Sequence, residues 1–160
     1  TLGLNILSID YKKDCLEWSG TIFLVEGEFM GFKYEAIKAY LIDHGVNASL
    51  AETMHAIYAT QRLGGTAKAY FLIVFTETEI FIISITPLGK LGEIIATLPE
   101  EMIKSYQFKK RLFIGYKLCF VLTDGRELEF NINKMMIGVG WHKTELQSIL
   151  ETNYYNKNIK

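Results

Sequence analysis

The stretch KAYFLIVFTETEIFIISIT, residues 68–86, restricts this chain more than any other. Two β-branched and aromatic runs, 68–76 and 79–86, are separated only by polar residues. That pattern predicts an antiparallel hairpin closing at Glu77–Glu79. A sheet with one wet face shows a polar residue at every second position; these runs show almost none, so much of both faces must be covered. The chain has the material to cover them. Its 160 residues are 49% hydrophobic and 13% aromatic, enough for one domain with a substantial extension.

Further strands follow. Pro87, Gly89 and Gly92 turn the chain, and residues 93–98 predict a strand stopped by Pro99. Residues 116–132 flank Asp124-Gly125, a pair suited to the positive φ of a tight hairpin turn. There Leu128, Phe130 and Ile132 alternate with Glu127, Glu129 and Asn131, one face dry and the other wet. The chain then turns helical after Gly138 and Gly140, with Trp141, Leu146, Ile149, Leu150 and Tyr154 near one face.

The first third is less regular. KKDCLEW and TIFLVEGEF around Ser19-Gly20 predict a hairpin. Residues 34–45 predict a helix, with Ala36, Ile37, Tyr40 and Leu41 on one side and Gly45 as its stop. Residues 49–65 carry two opposed signals. Ser49 and Glu52 make a capping-box pattern before helically spaced Leu50, Met54, Ile57 and Tyr58, yet the segment runs through Gly64-Gly65 directly into a strand.

An ordered set of features over residues 52–153 resembles a bacterial pleckstrin-homology-like (PH-like) domain of the kind called YokE-like. It comprises ETMHAIYA, LIVFT before EIFII, EEMIKSY, the LCFVLTDGRELEF hairpin and the closing WHKTELQSIL. The resemblance implies a bent β-sandwich or barrel of about seven strands, one open end plugged by the C-terminal helix. It makes Glu52–Thr60 the first strand, against the capping box. Residues 49–160 then form the domain, and residues 1–48 a hairpin-plus-helix extension packed on it. YEAIKAY at 34–40 and EEMIKSY at 100–106 match at an offset of 66 residues, which raises a decayed partial repeat beside the plainer reading of coincidence.

Chemistry is sparse. The net charge of −1 gives no bulk attraction to nucleic acid, so no nucleic-acid partner is expected. The longest apolar run, residues 69–75, is far below the roughly 20 residues of a membrane span. Cys15 and Cys119 lie in apolar segments and read as reduced, buried thiols of a cytoplasmic protein. His44, His55 and His142 share no ligand spacing, and no nucleophile or nucleotide motif is present. No metal, cofactor or enzymatic activity is expected.

One cluster stands out. Lys104, Lys109, Lys110 and Arg111 are interleaved with Tyr106, Phe108 and Phe113, a pattern that can hold a phosphate. A solvated turn whose lysines discourage edge pairing is the preferred reading, because the rest of the chain is mildly acidic. Met135-Met136 could line an adaptable groove, with a core position the plainer reading. The resemblance implies a non-catalytic module making protein contacts or self-associating through exposed strand edges. The alternative is binding of a small ligand or lipid headgroup by the 104–111 segment and the barrel mouth.

Overall fold

Residues 68–86 are buried on both faces because they lie between two separate cores. A computed structural model describes residues 33–160. In chain order the elements are helix α1 (Tyr34–Asp43), a five-residue helix α2 (Ala48–Glu52), and strands β1 (His55–Gly64), β2 (Ala67–Phe75), β3 (Glu79–Ile85) and β4 (Leu91–Pro99). A single 3₁₀ turn (Glu100–Met102) leads to β5 (Ile103–Arg111), β6 (Gly115–Leu122), β7 (Glu127–Asn133) and helix α3 (Gly140–Glu151).

The strands form one antiparallel sheet in the order β4-β3-β2-β1-β7-β6-β5. Four-stranded and three-stranded meanders meet where β1 and β7 pair, through the single register match Thr60–Asn131. The sheet is not closed. Of the expected bent sandwich or barrel, the seven strands and the C-terminal helix are present, but β4 and β5 stay at opposite edges. The C-terminal chain covers part of the β5 edge: Tyr106 N–H donates to the Lys157 carbonyl, and Ile159 N–H to the Tyr106 carbonyl.

The main core draws on all seven strands and on Leu146, Ile149 and Tyr154. Phe75 is its aromatic hub, with ring centroids 5.0 Å from Tyr154, 6.2 Å from Tyr106 and 6.3 Å from Phe120. The second core covers the other face of β1–β3. There Ile37 and Leu41 of α1, with Val139, bury Tyr58, Leu72, Val74, Phe81 and Ile83.

Helix α3 lies along β1 and completes the sheet where β7 has left it. Tyr58 N–H donates to His142 Nδ1 at 3.2 Å. With Nδ1 accepting, the ring proton sits on Nε2, which donates to the Asn133 carbonyl at 2.8 Å. One turn on, Glu145 Oε2 accepts from Ala56 N–H at 3.1 Å and from His55 Nδ1 at 3.0 Å. The Tyr34 hydroxyl lies 2.8 Å from the same oxygen and 2.7 Å from the Met54 carbonyl. Side chains of one helix thus supply strand partners for β1, whose buried donors need them.

Several expectations change in detail. Residues 49–65 are both helix and strand: α2 is capped by Asn47, whose side chain accepts from Ser49 N–H at 2.9 Å, and β1 begins at His55. Ser49 is therefore not the cap and Glu52 not the first strand residue. Continuous pairing with β2 from His55 onward overrides the helical spacing that reaches Ile57 and Tyr58. Tyr154 is buried beyond the end of α3 in a 3₁₀ turn. YEAIKAY is helix whereas EEMIKSY is a 3₁₀ turn entering a strand, so the two stretches share no conformation. The hairpin predicted around Ser19-Gly20 lies outside the described residues.

The 124–125 turn is wider than a two-residue connection. Gly125 N–H donates to the Leu122 carbonyl and Leu122 N–H to the Arg126 carbonyl. Gly125 alone there takes positive φ, +89°. Asp124 instead uses its carboxylate, which accepts from Arg126 N–H at 3.0 Å and Nε at 2.8 Å. Gly125→Val places a β-branched residue in the left-handed region and is expected to cost about 1–3 kcal/mol in urea denaturation. An unchanged midpoint would contradict this turn geometry.

Candidate functional site

Where β1 and β7 diverge, the outer faces of the two meanders form a corner. A polar groove of about 1000 Å³ runs along it. Period-two geometry decides what lines it. Thr60 and Arg62 of β1 stand opposite Tyr70 and Lys68 of β2. Across the corner are Glu127, Glu129 and Asn131 of β7, Lys117 of β6 and Arg111 of β5.

The cations are close to one another. Arg62 pairs directly with Lys68, and Lys109 with Lys117, so like charges oppose each other in two cross-strand pairs. Glu129 relieves one pair through a 2.6 Å contact with Lys117 Nζ. Hydrogen bonding in that pair holds the Lys117 ammonium above its ordinary pKa and the Glu129 carboxyl below its own. Arg111 Nη1 donates to Asn131 Oδ1 at 2.9 Å. Arg62, Lys68, Lys109 and Lys110 make no ion pair among the described residues.

The predicted basic cluster is a strand, not a turn, and its members separate accordingly. Lys109 and Arg111 share the outer face with Lys117. Lys110, opposite Tyr116, lies on the other face, toward the side packed by Phe108 and Tyr116. Lys104 sits at the far end of β5, beside the irregularity between Ile103 and Ser105. Missed from the sequence were Arg62, Lys68 and Lys117, which join the groove only through strand pairing.

The turn itself is Leu112–Ile114, and it is apolar. Leu112 is 79% exposed, Phe113 88% and Ile114 52%. Beside it runs the β7–α3 loop, joined by Lys134 N–H donating to the Ile114 carbonyl at 3.1 Å. That loop exposes Met135 (72%) and Ile137 (93%), while half-buried Met136 reaches the groove with Ile114. Met135 is therefore at the surface, whereas Met136 packs against the second core. Residues 102–123 and 130–144 hold seven of the seventeen lysines and arginines and none of the eighteen acids.

Two other constellations have structural roles. The Tyr34–His55–Glu145 group resembles acid–base machinery, but Glu145 Oε2 is occupied by the backbone of β1. Cys119 is half-buried on the outer face of β6 and not in the core. Burial and then nearby Glu129 push its thiol pKa up, away from a reactive thiolate. Cys15 lies outside the described residues. Among the described residues, no three His, Cys, Asp or Glu groups are placed to hold a metal ion, and no helix is long and apolar enough to cross a membrane.

No protein-family model matches this chain, and no curated protein matches it.

Proposed function

We propose that the chain is a non-catalytic interaction module of PH-like architecture, binding an acidic surface at the end of the sheet formed by the β5–β6 and β7–α3 loops. The PH-like reading is supported by seven antiparallel strands in two meanders followed by a helix. The binding reading is carried by one observation. Five exposed apolar side chains gather on two adjoining loops whose flanking segments contain cations and no acids. Exposed apolar patches with a polar rim mark interaction sites.

A polyanion matrix tests this. Despite a net charge of −1, the chain is expected to be retained on heparin and released by salt. Lys109→Glu/Lys110→Glu should pass unretained with an unchanged melting temperature, since both side chains are exposed and exposed charges add little to stability. Unretained wild-type protein would refute the reading.

Self-association is a second reading. The outer edge of β4 is unpaired among the described strands, which offers a route for strand addition. Light scattering decides it: a concentration-independent monomer mass would exclude that role.

A further inference from the structure

We propose that this end of the molecule docks on an anionic lipid bilayer, with Leu112, Phe113, Met135 and Ile137 entering the headgroup–acyl boundary. The inference rests on the module reading above and names its partner.

Three observations select a bilayer. First, the apolar residues stand on loop tips instead of forming a flat patch. Phe113 and Ile137 are 88% and 93% exposed, so little of either side chain is packed against its own protein. Tips insert into a fluid interface without needing a matching pocket. Phe113 is also held at φ +64°, a conformation uncommon for an aromatic residue, at the apex of the turn.

Second, the charges sit where headgroups would meet them. Lys109, Lys110 and Arg111 directly precede the β5–β6 tip, and Lys134 opens the adjoining loop. The nearest carboxylates on β7, Glu129 and Glu127, pair with Cys119 and Val121, set back along the strands from the Gly115–Asn133 pair at the tip. Cations around an apolar point match an anionic leaflet, where each contributes roughly a fivefold gain in binding.

Third, a second copy fits poorly. A two-fold interface sets a patch against itself, so these cations would face their own equivalents. Among the described residues outside 102–123 and 130–144, eight cations stand against thirteen acids, so that remaining surface is repelled by the same membrane. That asymmetry orients the molecule.

Sedimentation with vesicles tests the inference. The full chain should bind phosphatidylcholine vesicles containing about three parts in ten phosphatidylserine, and bind phosphatidylcholine alone at least about tenfold more weakly. Phe113→Asn/Ile137→Ser should lower partitioning onto anionic vesicles by about tenfold or more, while heparin retention persists. Asn suits the positive φ at 113, and a circular-dichroism melt checks folding. Leu112→Ser/Met135→Ser is an independent second variant with the same expected loss. Heparin retention without vesicle binding would overturn the bilayer and leave the module reading standing. Vesicle binding unaffected by both apolar variants would overturn insertion, leaving surface electrostatics alone. A dimer in light scattering that the apolar variants dissolve would assign the patch to a second copy and overturn the inference.

Discussion

Gly115→Ala is expected to be among the most damaging single-methyl additions in this protein. Gly115 is buried, has φ +153° and begins β6 opposite Asn133 of β7. A Cβ there would lie 2.0 Å from the Ile132 carbonyl oxygen and 3.0 Å from Asn133 Cα. Both are backbone atoms of a paired strand, so no side chain can swing aside. Relief requires β7 to move, and the end of β7 supplies the Asn133 carbonyl that receives His142 Nε2. Backbone strain alone costs about 1–3 kcal/mol, and the displacement adds to it, giving an expected loss of about 4 kcal/mol or more. Urea denaturation measures it. A variant within about 1 kcal/mol of wild type would mean that β6 and β7 are not in this register.

The fold was legible where one short-range rule acts alone. Hydrophobic alternation in 127–132 and the double-sided burial of 68–86 follow from period-two geometry, and both survive in β7 and in β2–β3. Failures occurred where distant pairing decides. Residues 55–58 carry helical spacing, but β2 offers them partners along their whole length. Closure of the sheet could not be read from any strand, because it depends on β4 and β5 approaching each other, and they do not.

The candidate site shows the same division. Lys104, Lys109, Lys110 and Arg111 look like one cluster in a linear string, yet a strand sends neighbours to opposite faces. Arg111 instead joins Lys117, Lys68 and Arg62, residues from three other strands. The apolar tips were visible as letters, LFI and MMI, but not as exposed. Such residues usually mean core, and it is the Gly115–Asn133 strand pair with the hydrogen bond from Lys134 to Ile114 that places the two loops side by side.

His142 carries the second large prediction, because it substitutes for a missing strand. It is fully buried, and its two ring nitrogens serve the Tyr58 N–H and the Asn133 carbonyl. His142→Leu keeps the bulk and removes both partners. Each buried group left unsatisfied costs about 1–3 kcal/mol, so a loss of about 2–5 kcal/mol is expected. The wild-type residue also ties stability to pH. Burial, the larger cause, lowers the pKa of His142, against a weaker upward pull from the Asn133 carbonyl. The unfolded chain therefore takes up the proton first, near pH 6.5. Its contribution is fully present above that pH and is lost as pH falls below it toward the depressed folded value. His142→Gln retains an acceptor and a donor but cannot titrate. In urea denaturation from pH 7.5 to 5.0, the Gln variant should lose stability less steeply than wild type. Identical slopes would show that His142 is not held neutral in the seam. If the Leu variant were as stable as wild type, then β1 would have some other means of satisfying its backbone beyond Thr60, where β7 no longer follows it.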